Sequence, residues 1–135
     1  MKIDGRCHCG RIAFEAEVEP GSVAVCHCAD CQKLTGSAFR ANIAAPAASF
    51  RMLSGEPRIY VKTADSGARR AHAFCGDCGT PIYATAAEGQ RTSYSLRIGT
   101  LDQRHALGAP ARQIWRASGL AWSTDLRDVA SRQGQ

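Results

Sequence analysis

The chain has 135 residues, enough for one domain with its own core, and 44% of them are hydrophobic, although much of that fraction is alanine. No apolar run approaches the roughly 20 residues of a membrane span, and Met1 to Arg6 lacks the apolar stretch of a secretory signal, so a cytoplasmic location is expected. The formal charge of +5 counts the cysteines as neutral; were all seven held as thiolates by two divalent ions it would fall to about +2, which argues against a nucleic-acid partner.

In chain order, Arg11 to Val18 alternates and sets Ile12, Phe14, Ala16 and Val18 on one face of a strand. Val23 to Val25 reads as a short strand, and Asp30 to Leu34 suits one helical turn. Residues 44–49 read as a loop or an edge. The turn signal Ser54-Gly55-Glu56-Pro57 precedes a strand over Arg58 to Lys62, and further strands are expected over Arg70 to Phe74 and Ser93 to Ile98. Asp125 to Ser131 suits another helical turn, with a frayed tail over 131–135. Residues 1–130 contain no linker, so one small, mainly β domain of short antiparallel strands with little helix is predicted. Alanine buries little area, and metal crosslinks would offset that shortage.

Seven cysteines lie in three clusters: Cys7-His8-Cys9, Cys26-His27-Cys28-Ala29-Asp30-Cys31 and Cys75-Gly76-Asp77-Cys78. Residues i and i+2 of an extended chain share a side, so Cys7 and Cys9 can grip one ion. Cys75 and Cys78 form a Cys-x-x-Cys half-site, where Gly76 and Gly79 suit the tight backbone. Joining these halves makes a closed four-thiolate zinc site. Cys26, Cys28 and Cys31 then form a three-thiolate site with an open position, because any other partition splits a local cluster. Three other readings stand beside this one: His27 or His8 completing a structural site, an iron–sulfur centre, and disulfides. In an extended segment His27 points away from the ion held by its neighbours. No ferredoxin spacing is present, and an odd cysteine count in a reducing compartment disfavours disulfides.

Asp30 and Asp77 occupy equivalent places in the two knuckles and read first as turn formers; Asp30 could instead accept a proton at the open site. Lys33, Arg40, Arg51 and Arg97 are candidate partners for substrate carboxylates, against the simpler reading of solvated charges. Gly36 and Ser37 offer donors near the open site, while Phe39, Tyr94 and Trp115 are either pocket walls or core. His72 and His105 read most simply as surface or packed residues, with no catalytic role assigned to either.

Gly5-Arg6-Cys7-His8-Cys9-Gly10, Cys26 through Phe39, and Phe74 through Tyr83 together resemble the glutathione-dependent formaldehyde-activating enzyme family, which also includes centromere protein V. Ile98 to Asp102, Ile114-Trp115 and Trp122 are similar to its downstream pattern. The resemblance implies a β-tent type of fold holding two zinc ions. Cys7, Cys9, Cys75 and Cys78 would bind the structural ion, and Cys26, Cys28 and Cys31 the catalytic one. It also implies a carbon–sulfur lyase activity that joins glutathione and formaldehyde; for such a substrate the residues themselves offer Lys33, Gly36, Ser37 and Phe39 as candidate contacts. Three thiolates blunt the Lewis acidity of zinc and suit a soft thiol better than a hydroxide as the fourth ligand. A non-enzymatic zinc module with both ions structural, and a thiol sensor, are the competing functional classes.

Overall fold

Ten strands and one α-helix are described over residues 1–135 in a computed structural model: β1 (Lys2–Arg6), β2 (Ala13–Glu17), β3 (Ala24–Cys26), α1 (Ala29–Thr35), β4 (Arg40–Pro46), β5 (Arg51–Ser54), β6 (Arg58–Thr63), β7 (Arg69–Phe74), β8 (Pro81–Ala86), β9 (Ser93–Arg97) and β10 (Arg112–Ile114). Short 3₁₀ turns join several of them. The strands form a three-stranded sheet, ordered β1-β2-β5, and a seven-stranded sheet, ordered β10-β3-β4-β9-β8-β7-β6. The expected mainly β class is therefore observed, with one exception to antiparallel pairing: β10 runs parallel to β3.

The alternation read in Arg11 to Val18 decides the packing. Ile12, Phe14, Ala16 and Val18 are all buried, and with Ile3 they meet Ile43, Ala45, Ala73, Tyr83 and Leu96 of the larger sheet in one core. Phe50 joins the sheets as an aromatic bridge, stacked on Tyr94 at 4.1 Å and edge-on to Tyr83 at 5.2 Å. Across the β1–β2 pair, Gly5 faces Phe14, and a Cβ on Gly5 would lie inside the Phe14 ring. The absent side chain is what leaves room for the tip of the ring against the strand.

Two expectations are corrected. Residues 44–46 are not a loop. They end β4, which pairs with β3 over Arg40 to Asn42 and with β9 over Asn42 to Pro46, so this stretch has the one-sided pairing expected of an edge while it buries Ala45 completely. Proline cannot donate to the ladder, but Pro46 is the last residue of the strand, where the missing N–H costs nothing inside the sheet. Only Ala47–Ser49 turns, as a 3₁₀ turn. At the other end, Asp125 to Ser131 forms no helical turn. The 3₁₀ turn lies earlier, at Ala121–Thr124, and Asp125 Oδ1 instead accepts from the Arg127 amide at 3.1 Å. A local side-chain bond of this kind competes with helix formation.

Candidate metal centres

The first centre is built where β1 and β7 run out into tight turns. Cys7 follows β1 and Cys75 follows β7, and both are 1% exposed against the core. After Cys9 the chain turns at Gly10 (φ 81°), and after Cys78 it turns at Gly79 (φ 75°), whose amide donates to the Cys75 carbonyl at 2.8 Å. Only glycine enters this left-handed region without strain. Gly76, by contrast, has no positive φ; a Cβ there would press on the Arg58 side chain.

The Sγ atoms of Cys7, Cys9, Cys75 and Cys78 lie within 4.8 Å of one another. Cys7 is 3.5 Å from Cys9, and Cys9 is 3.7 Å from Cys75. A zinc–sulfur bond of about 2.3 Å sets tetrahedral sulfurs about 3.8 Å apart, whereas a disulfide needs about 2.05 Å. The spacing fits an ion between the sulfurs and not a bond between them. Backbone and hydroxyl donors surround the group: the Ile12 amide points at Cys7 Sγ (3.2 Å), and the Thr80 hydroxyl lies 3.1 Å from Cys78 Sγ. The bonds from Thr80 hold the Cys78 thiol down at about 5. At Cys9 the Arg11 amide favours the thiolate, but hydrogen bonding with Cys7, together with burial and the other two thiols, prevails and pushes it up to about 12. Crowded sulfurs cannot all ionise unaided, and a cation removes the conflict.

The second centre sits at the junction of β3 and α1. Cys26 ends the strand, Cys28 caps the helix and Cys31 lies in its first turn, with the Cys31 amide donating to Cys28 Sγ at 3.3 Å. α1 ends at Gly36 in the left-handed conformation. The three Sγ atoms again converge within 4.8 Å. Burial raises the Cys31 thiol to about 12, aided by its two sulfur neighbours. Burial also opposes ionisation of Cys28, but hydrogen bonds from the Cys31 amide and with the Cys31 and Cys26 thiols, helped by the charge of Lys62, outweigh it and lower that thiol.

His27 faces the other way, as the alternation predicts. Its Nε2 is 2.8 Å from Gln113 Oε1 on β10, and its ring stands edge-on to Phe39. His8 is exposed beside the four-cysteine group, and its amide donates to the Thr80 hydroxyl. Asp30 pairs with Lys62 of β6 at 2.5 Å, and Asp77 pairs with Arg11 at 3.6 Å.

A groove of about 560 Å³ opens beside the three-cysteine centre, lined by Cys28, Asp30, Lys62, Asp65, Trp115 and Ser118 among others. Trp115, 67% exposed, is the one non-glycine residue at positive φ (56°). Such strain persists where a structure needs a side chain in one particular place. Lys33, Gly36, Ser37 and Phe39 line a separate groove of about 730 Å³ with Trp122 and Leu126, on a stretch of wall that includes no cysteine. Tyr94 belongs to the core, and Arg51 pairs with Glu15 on the small sheet. The reading of Arg40 and Arg97 as solvated charges is overturned: they are 4% and 7% exposed. Both reach Nδ1 of His72, at 3.4 and 3.2 Å, so His72 belongs to a cluster that its place in the sequence did not announce. The strand alternation Ser93 to Ile98 marks which face Arg97 takes but not what covers that face.

Over residues 2–118 the chain matches the family described as Glutathione-dependent formaldehyde-activating enzyme. Among solved structures, a crystal structure of a Rhodobacter sphaeroides protein, a Northeast Structural Genomics target, is similar with a TM-score of 0.61 at 20% sequence identity. The match covers 82% of this chain and 98% of that one, and it shows a shared fold.

Proposed function

Because this chain belongs to the glutathione-dependent formaldehyde-activating enzyme family, we propose that it joins a thiol of the glutathione type to a small aldehyde such as formaldehyde, or cleaves the adduct, at Cys26, Cys28 and Cys31. In this reading Cys7, Cys9, Cys75 and Cys78 hold a structural zinc ion and the trio holds a catalytic one. The observation that carries it is the difference between the two sulfur clusters. One has four thiols, anchored in the core by Cys7 and Cys75; the other has three, with His27 turned away to Gln113 and a groove opening at Cys28.

Zinc held by three thiolates supplies a soft acceptor for a substrate sulfur and lowers its pKa from about 8.5, so that thiolate exists at neutral pH. The residues of the chain do the rest. Cys26, Cys28 and Cys31 keep the acceptor electron-rich. Lys62 and Asp30 fix α1 against β6 at the groove mouth, and the indole of Trp115 walls the groove. The substrate sulfur gives its thiol proton to solvent and attacks the aldehyde carbon. The new C–S bond forms as the carbonyl π pair moves to oxygen, which takes a proton from water, and a hemithioacetal results. The same chemistry implies a reducing compartment such as the cytoplasm, where seven unpaired thiols persist.

The test is exchange between glutathione and formaldehyde, followed by two-dimensional exchange NMR with protein loaded with zinc. A rate above the spontaneous one, lost in Cys28→Ser, is expected. Exchange no faster than the background with both ions bound would refute the assignment of this substrate pair.

A further inference from the structure

The seven-stranded sheet concentrates cations on the face that carries the three-cysteine centre. Cys26 on β3 lies directly opposite Arg40 on β4, and Asn42, two residues on, lies opposite Arg97 on β9. Directly opposed residues of antiparallel strands project to the same side, so Cys26, Arg40, Asn42 and Arg97 share one face. Continuing across the sheet, Ser95 pairs with Ala84 and Ala84 with His72. The small Ala84 side chain leaves room for Arg97 to reach over β8 to His72. Arg97 Nη1 donates to Asn42 Oδ1 at 2.5 Å, and both guanidiniums converge on the single nitrogen Nδ1 of His72.

Neither arginine has a carboxylate partner. The ion pairs of the chain involve Arg6, Arg11, Arg51, Lys62, Arg69 and Arg127, and the Nε atoms of Arg40 and Arg97 are buried with no hydrogen-bond partner. Two nearly buried cations side by side repel and are costly unless an anion stands nearby. The groups able to supply that charge on this face are the sulfurs of the trio.

We propose that Arg40 and Arg97 are the built-in counter-charge of the three-cysteine centre, and that they make its open position select an anionic sulfur over a neutral ligand. This inference rests on the zinc-enzyme reading above. Three thiolates around a divalent ion carry one net negative charge, which alone repels an incoming thiolate. Arg40 and Arg97, with Arg70 further along the same face, turn that into net positive charge, which a thiolate in the open position offsets. The arginines act through charge and position; they do not touch the reacting carbon. Arginine suits this duty because it holds its charge under burial more firmly than lysine does.

The experiment uses the full chain with cobalt(II) in place of zinc, so that ligand entry is read from the visible absorption bands and not from turnover. Wild type, Arg97→Met and Arg97→Lys are each titrated with 2-mercaptoethanol, which has no carboxylate, and with imidazole, which is neutral. Wild type should prefer the thiol. Arg97→Met should lose about tenfold or more in thiol affinity while imidazole binding holds or improves, and Arg97→Lys should recover part of the loss. Arg40→Met repeats the test from the other strand, and its metal content and far-ultraviolet circular dichroism show whether it has folded. An equal loss for both ligands, or no loss, overturns the counter-charge. Failure of wild type itself to bind either ligand overturns the open-site reading and the counter-charge with it.

Discussion

Lys62 Nζ lies 2.5 Å from Asp30 Oδ2, although β6, which carries Lys62, stands five places from β3, which leads into α1, in the order of the large sheet. In a flat sheet, strands spaced about 4.8 Å apart would set those two elements about 24 Å apart. The contact therefore needs the sheet to curl toward its cationic face while α1 leans across it. Strand twist supplies such curling, and the ion pair fastens it next to Cys28 and Cys31.

This fastening predicts a local effect. Lys62→Met should leave the thermal midpoint nearly unchanged, because Asp30 is largely in water and exposed ion pairs stabilise little. It should nevertheless speed loss of metal from the trio several-fold, since α1 loses its tether. Metal release to a colorimetric chelator at fixed pH reads the rate. Release as slow as in wild type would show that the pair has no part in holding the centre.

The two cysteine groups should respond differently to removal of one ligand. Cys7 and Cys75 are buried in the core, so Cys75→Ser should lose its ion and collapse the stability that goes with it, which is of order 10 kcal/mol for a structural zinc. Cys28→Ser, at a half-exposed helix cap, should lose one ion and keep the fold. Elemental analysis paired with thermal melting separates the cases. Equal unfolding by both substitutions would make both centres structural.

Gly5→Ala should destabilise the β1–β2 pair by about 1–3 kcal/mol or more, the cost of overpacking, because the new methyl group meets the Phe14 ring. Urea unfolding gives the value. The double variant Gly5→Ala with Phe14→Leu should lose less than the sum of the two single changes, since the clash vanishes with the ring.

His72 supplies a pH dependence. Burial, and then Arg97, Arg40, Lys62 and Arg70 around it, hold its pKa at about 4, below the ordinary value of 6.5. The folded protein thus prefers a neutral His72. The stability this contributes is fully present above about pH 6.5 and declines as pH falls toward 4, where the unfolded chain takes up a proton that the fold refuses. Urea midpoints of wild type should fall between pH 7 and 5 more steeply than those of His72→Gln. Parallel slopes would remove His72 from the account.

The grouping of the cysteines was legible in the residues alone. Cysteine spacing brought out the groups of four and three because ligand geometry is local: i and i+2 on a strand end, or two residues around a knuckle, face one point whatever the rest of the chain does. The alternation of Ile12, Phe14, Ala16 and Val18 marked the buried face of β2 for the same reason. β4 was less legible, since an alanine-rich run with a proline has no strong strand signal, and pairing with β9 is what makes it a strand.

What sequence determined by itself, then, was short-range: which thiols can share an ion, which side of a strand is apolar, and which family the motifs belong to. Only the tertiary structure decided that Arg40, His72 and Arg97, far apart in the chain, meet on one sheet face, and that Lys62 reaches Asp30. Burial of a charge depends on which strands lie beside it and how the sheet bends, and neither is written in the few residues around an arginine.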